Sequence, residues 1–257
     1  MLGPTTRRLT AVVTKRQRSS LEFIPGPPGS GDPPCTVRWC WCDALFMAPP
    51  TLLQLANRTG DRRLADFAHE EFWATTDYLY DPAEKLFFRD SRFFDRRDAE
   101  GRKLFWSRGN GWVLSGLARI IPELAADDPM RPRYVALYRD MAERIAGLQK
   151  PDGYWAPSLL DDSTATPPES SGTGFYTHAL AWGINAGLLD RDTYLPVVLK
   201  GWAALQRAVE PDGRLGWVQQ VSDRPDNVSR ADTQYYGVGA FLLAGAEVHD
   251  LVHGGLR

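Results

Sequence analysis

Four stretches of this 257-residue chain repeat one pattern at a spacing close to sixty residues. Each enters on polar or small residues and runs into an apolar segment with helical periodicity. They start at Cys42 (CDALFMAPPTLLQLA), Trp106 (WSRGNGWVLSGLAR), Ser171 (SGTGFYTHALAWGI) and Ala231 (ADTQYYGVGAFLLAG). With Asp43, Arg108, Ser171 and Asp232 as markers, the intervals are 65, 63 and 61 residues. So steady a period marks a fold built from repeated supersecondary units.

The intervening segments are amphipathic. Residues 61–79 place Leu64, Phe67, Ala68, Phe72 and Leu79 near one helical face. Residues 133–149 do so with Tyr134, Leu137, Met141, Ile145 and Leu148, and residues 194–208 with Leu195, Val198, Trp202 and Leu205. Charged residues fill the opposite faces, as on helices exposed to solvent. Pro151-Asp152-Gly153 and Pro211-Asp212-Gly213 follow two of these segments, with Asp81-Pro82-Ala83 in the corresponding place of the first period. Proline presets φ and glycine accepts φ > 0, so the tripeptide ends a helix and reverses the chain.

An apolar inner helix alternating with an amphipathic outer helix predicts an all-α toroid of helical hairpins, an (α/α) barrel. The inner-helix N-termini then gather at one end, where unpaired N–H groups favour anions. Ser171, Asp232 and Thr233 are also ordinary helix N-caps. Asp43 and Arg108 stand among apolar residues and fit that role less well.

The charge is unevenly spread. Residues 1–20 hold five basic residues and no acidic one, so a chain of net charge −2 has a body of net −7. That balance lacks the basic excess of a nucleic-acid binder, and no apolar run is long enough to cross a membrane. Residues 25–34 read PGPPGSGDPP, which can propagate neither a helix nor a central strand. Residues 1–35 are therefore expected to be a disordered or foreign leader, and residues 36–257 the helical domain. The leader lacks a convincing export signal, so the chain is expected in the cytoplasm. Cys35, Cys40 and Cys42 suggest neither a disulfide framework nor a zinc site. No metal, cofactor or membrane partner is expected, and the composition leaves the oligomeric state open.

The blocks WCWCDALFMAPPTLLQLA, FWSRGNGWVLSGLARI, PDGYWAPSLLDD, ESSGTGFYTHALAWGINAGLLD and DTQYYGVGAFLLAGAEV resemble glycoside hydrolase family 105. Its members are unsaturated rhamnogalacturonyl hydrolases, related to the family 88 unsaturated glucuronyl hydrolases. The resemblance runs from about Trp39 to about Leu251 and implies an (α/α)6, six-hairpin barrel. It also implies an unsaturated oligosaccharide as substrate. In that chemistry an acid protonates C4 of an unsaturated uronic acid, water adds at C5, and the hemiketal opens to release the neighbouring sugar. Asp43 aligns with the catalytic aspartate in W-x-D-x-L-F-M, and apolar neighbours are expected to favour its protonated form. Arg108 is the best candidate for the substrate carboxylate, because a guanidinium grips a carboxylate with two bonds. Trp41, Trp106, Asn110, Ser171 and Thr173 are expected to contact substrate, and Gly109 and Gly111 to let sugar approach the backbone.

Two departures from the family pattern stand out. Arg89 occupies a position where many relatives have histidine, and it too can bind a carboxylate. Six sixty-residue hairpins need roughly 360 residues, whereas 219 follow from Trp39 to the end. An incomplete toroid of about four hairpins is expected, lacking upstream helices that in the family supply a second aspartate. A non-catalytic, carbohydrate-binding remnant is the alternative.

Overall fold

A computed structural model of the chain describes residues 38–254 continuously, together with residues 20–24 and positions 3, 7 and 11. Inner and outer helices alternate through it. Helix α1 (Ala44–Met47) and α2 (Pro49–Thr59) lead into the outer α3 (Arg62–Leu79). The inner α4 (Ser107–Ile120) pairs with the outer α5 (Arg131–Gly147), and the inner α6 (Ser170–Asn185) with the outer α7 (Arg191–Arg207). The last inner helix is α8 (Tyr235–His253). Strands β1 (Tyr80–Asp81) and β2 (Leu86–Phe87) form a small antiparallel hairpin between α3 and α4.

Local chemistry explains the boundaries. Asp61 and Asp190 cap α3 and α7 by accepting from the N–H groups of Arg63 and Thr193. The run from Cys42, expected as one helix, is divided at Ala48. Pro49 and Pro50 supply no N–H to continue α1 and instead start α2, where a missing N–H costs nothing. Gly153 and Gly213 adopt φ of +94° and +85°, the left-handed conformation expected of the two Pro-Asp-Gly turns.

Helix α6 is the hub: every residue from Ser170 to Ile184 is buried, between α4 and α8 and over α7. Close approach depends on small residues. A side chain at Gly116 would meet the Leu45 carbonyl oxygen at 2.7 Å, which lets α4 cross directly under α1. Helix α8 packs on α6 and α7, while Tyr235, Val238, Leu242 and Val252 are exposed. Among the described residues the result is a mostly helical arc of the six-hairpin type, with three inner–outer pairs and a fourth inner helix.

Part of the expected leader is packed: Leu21 is buried, Phe23 lies in the same small cluster as Cys40 and Trp41, and Phe23 N–H donates to Ser91 Oγ at 2.9 Å. The remainder of the disorder expected over residues 1–35 lies outside the described residues. Cys40 is disulfide-bonded, a correction to the expectation from cysteine spacing, and Cys42 is a buried free thiol. Among the described residues no helix is long and apolar enough to cross a membrane.

Inside the α4–α6 contact, His178 Nδ1 lies 2.6 Å from Ser115 Oγ. Burial, and then the nearby Arg119 charge, lower its pKa from 6.5 to about 4. The folded state therefore holds it neutral while the unfolded chain takes up a proton below pH 6.5. Stability contributed here is full above that pH and falls by up to about 3 kcal/mol as the pH drops to about 4. Urea midpoints at pH 7 and 4.5 should separate further in the native protein than in His178→Gln; equal separations would contradict this.

Candidate active site

The N-terminal ends of the inner helices surround a cleft of about 660 Å³, lined by Trp39, Trp41, Asp43, Arg89, Trp106, Arg108, Trp112 and Tyr236 among others. Asp43 sits where α1 begins. Its side chain makes no capping bond to the helix, so its carboxyl group is not spent on secondary structure. The side chain is 17% exposed, and Arg89 Nε lies 3.5 Å from Oδ2. Burial, followed by the adjoining Asp43 charge, pushes the Cys42 thiol up, and its S–H donates to the same oxygen at 3.6 Å. The apolar neighbours expected for Asp43 are thus joined by two polar ones, a guanidinium and a thiol.

Arg89 belongs to a line of alternating charges. Its Nη1 donates to Asp90 Oδ2 at 2.7 Å, and its guanidinium lies 4.3 Å over the Trp41 ring. Asp90 also accepts two bonds from the Arg92 guanidinium, at 2.8 Å each, and one from Arg92 N–H at 3.0 Å. Burial alone would raise the Asp90 carboxyl, but the bonds from Arg92 and Arg89 outweigh it and hold it below the usual carboxylate range. Arg92 pairs in turn with Asp223 at 2.8 Å. This asparate, on the loop between α7 and α8, is thereby linked to Asp43 through two arginines and Asp90.

Arg108 lies at the start of α4, held between the Trp106 and Tyr236 rings at 4.4 and 4.6 Å. Its Nη1 donates to Gln219 O at 2.9 Å and Ser171 Oγ at 3.3 Å, and its Nη2 to Gln220 O at 2.9 Å. Trp106 Nε1 donates to Gln219 Oε1 at 3.0 Å. Behind them the fully buried Glu169 caps α6. It accepts from Ser171 N, Ser171 Oγ and Gly172 N at 3.0, 2.6 and 2.7 Å, and from Gln219 N at 3.2 Å.

The structure therefore brings five of the sequence-predicted residues to the cleft: Trp41, Asp43, Arg89, Trp106 and Arg108. Three are placed elsewhere. Asn110 is fully buried, accepting from Phe87 N and donating to Phe87 O, so it fastens β2 to α4. Ser171 and Thr173 are fully buried on α6 and bonded to Glu169 and, for Thr173, to Trp155 N–H. Gly109 and Gly111 face protein rather than ligand, since side chains there would meet Cys42 Sγ at 3.2 Å and Phe175 Cβ at 3.0 Å. Their absent side chains serve helix packing. Glu169 and Gln219 escape the sequence reading because neither stands in the repeated inner-helix pattern. Tyr236 lay inside a recognised block, with no local signal to distinguish it from core.

Inner helices in an arc, with Asp43 and Arg108 at helix starts and Arg89 on the loop after β2, define a helical-hairpin protein with a polar–aromatic cleft. The chain belongs to glycosyl hydrolase family 88, whose sequence model matches residues 34–252. An unsaturated 3S-rhamnoglycuronyl hydrolase from Alteromonas sp. (strain LOR) is 44% identical over 249 residues, covering 95% of this chain and 60% of that protein. One from Formosa agariphila is 48% identical over 219 residues, covering 83% of this chain and 58% of that protein. The chain thus spans about three fifths of these relatives. A solved glycosyl hydrolase family 88 structure from Bacteroides vulgatus superposes with TM-score 0.79 at 36% identity, over 83% of this chain and 63% of that one. Structures described as possible GH105 members, at 18% and 19% identity, share the fold.

Proposed function

We propose that this cleft hydrates the C4=C5 double bond of an unsaturated uronic acid at the end of an oligosaccharide, releasing the neighbouring sugar. The observation that carries the reading is Asp43: a carboxyl group on the cleft, free of any capping role, with a guanidinium 3.5 Å away. Protonated Asp43 donates its proton to C4, and positive charge develops at C5 and the ring oxygen. Water adds at C5 and returns a proton to Asp43, which restores the acid. The C5 hemiketal then opens to a ketone. The C1 hemiacetal exposed by that opening expels the neighbouring sugar as an alcohol, so one water is consumed per bond broken.

The cleft suits each step. A single carboxyl group gives and regains the proton, as general acid and then general base. Trp41 and Trp112 offer flat faces for sugar rings, and the arginines offset the substrate's negative charge. As substrate we favour an unsaturated uronic acid followed by rhamnose. The relatives at 44% and 48% identity support this through their names. We further place the chain with the family 105 branch, on the W-x-D-x-L-F-M and W-S-R-G-N-G-W motifs.

Conjugated unsaturated uronides absorb in the near ultraviolet, and hydration removes that absorbance. The purified chain should bleach an unsaturated uronyl-rhamnose disaccharide and release free rhamnose in equal amount. Binding without bleaching would overturn the catalytic reading in favour of a carbohydrate-binding remnant.

A further inference from the structure

Two arginines reach the cleft, and the sequence favours Arg108 as the partner of the substrate carboxylate. The structure assigns that grip to Arg89 instead, an assignment that rests on the hydration reading above. Arg108 makes three hydrogen bonds to the protein, two of them to the carbonyl oxygens of Gln219 and Gln220. It is a staple that fixes the loop after α7 and is itself clamped between two rings. Arg89 makes one hydrogen bond, to Asp90. Its Nε forms no hydrogen bond and faces Asp43 Oδ2 at 3.5 Å. A guanidinium offers five donors, so Arg89 is far less committed to the protein than Arg108, and its side chain stands on the wall of the cleft.

The chemistry of the substrate points the same way. The carboxylate is bonded to C5, next to the C4 that receives the proton. Whatever holds it must therefore adjoin the acid, and Arg89 lies 3.5 Å from Asp43 Oδ2. The Trp41 ring and Asp90 hold the guanidinium plane still, so the substrate meets a preset fork.

The test compares the free acid of an unsaturated uronyl-rhamnose disaccharide with its methyl ester, which keeps the double bond but loses the charge. Wild type should prefer the acid in kcat/KM. Arg89→Gln should lower kcat/KM for the acid by about 10- to 100-fold and change the ester little, which abolishes the preference. Arg89→Lys, which retains charge without the fork, should recover part of it. Arg108→Gln should depress both substrates together and leave the preference in place. The acid-to-ester ratio is read within each variant, so a partly unfolded preparation scales both rates and leaves the ratio intact. Preference retained in Arg89→Gln, or lost in Arg108→Gln, overturns the assignment while leaving the hydration reading standing. A wild type that consumes neither substrate brings down both.

Discussion

Replacing Asp43 with asparagine lowers kcat by roughly 10²- to 10⁴-fold, the range that a positioned general acid contributes, and leaves the protein folded. The two halves of that expectation come from different observations. Asp43 makes no capping bond to α1, so its loss removes no support from the helix. Asparagine keeps the shape and one carbonyl oxygen, against which Arg89 and Cys42 still rest. Arg89 keeps its bond to Asp90, so losing the Asp43 charge should cost no more than about 1 kcal/mol. What asparagine cannot do is give up a proton to C4 or accept one from water. The near-ultraviolet assay reads the first half and thermal melting the second. A deficit confined to KM would make Asp43 a binding residue, and undiminished bleaching would remove it from the mechanism.

Glu169→Gln should be as damaging to the fold as Asp43→Asn is harmless to it. The Glu169 carboxyl accepts four hydrogen bonds in a fully buried position, three on Oε1 and one on Oε2. An amide turns one of these acceptors into a donor facing an N–H group. Whichever way it is oriented, at least one buried backbone donor loses its partner. The cost should be about 3 kcal/mol, or a fall in melting temperature of roughly 6–12 °C for a chain of this size. The damage should also travel. With the amide nitrogen at the Oε1 position Gln219 N loses its acceptor, and the Gln219–Gln220 segment holds both Trp106 and Arg108. A variant as stable as wild type would show that the α6 cap does not anchor that loop.

The same contrast separates what could be read from the chain from what could not. Outer helices were legible nearly to the residue: segments expected over 61–79, 133–149 and 194–208 form Arg62–Leu79, Arg131–Gly147 and Arg191–Arg207. Their apolar stripes face a core and their charges face water, so local pattern and tertiary burial agree. Inner helices were located by their apolar runs, but their starts were not. Ser171 and Asp232 look like caps in sequence, whereas Glu169 caps α6 and Asp232 accepts from Ser229 N–H in the loop before α8. A capping side chain is selected by backbone geometry three residues on, and several nearby polar residues satisfy the same pattern.

The cleft was legible to the extent that its residues were both chemically unusual and placed at an inner-helix start. Asp43 and Arg108 met both conditions. Asn110 and the glycines of the same block share the position along the chain, yet they turn toward β2, Cys42 and Phe175. Helical periodicity rotates each successive residue by about 100°, so neighbours in one motif serve different surfaces. Gln219 was hidden for the opposite reason. It comes from a loop nearly fifty residues beyond Ser171, and only the folded chain brings it to Trp106.

The line Asp43, Arg89, Asp90, Arg92, Asp223 has an odd number of members, with an acid at each end. Parity then governs how a perturbation propagates. Neutralising the outermost acid leaves Arg92 more fully to Asp90, which loosens Asp90 from Arg89, which turns Arg89 more toward Asp43. Neutralising Arg92 does the reverse at every remaining member. A charge change on the loop between α7 and α8 thus reaches the floor of the cleft through four charged contacts.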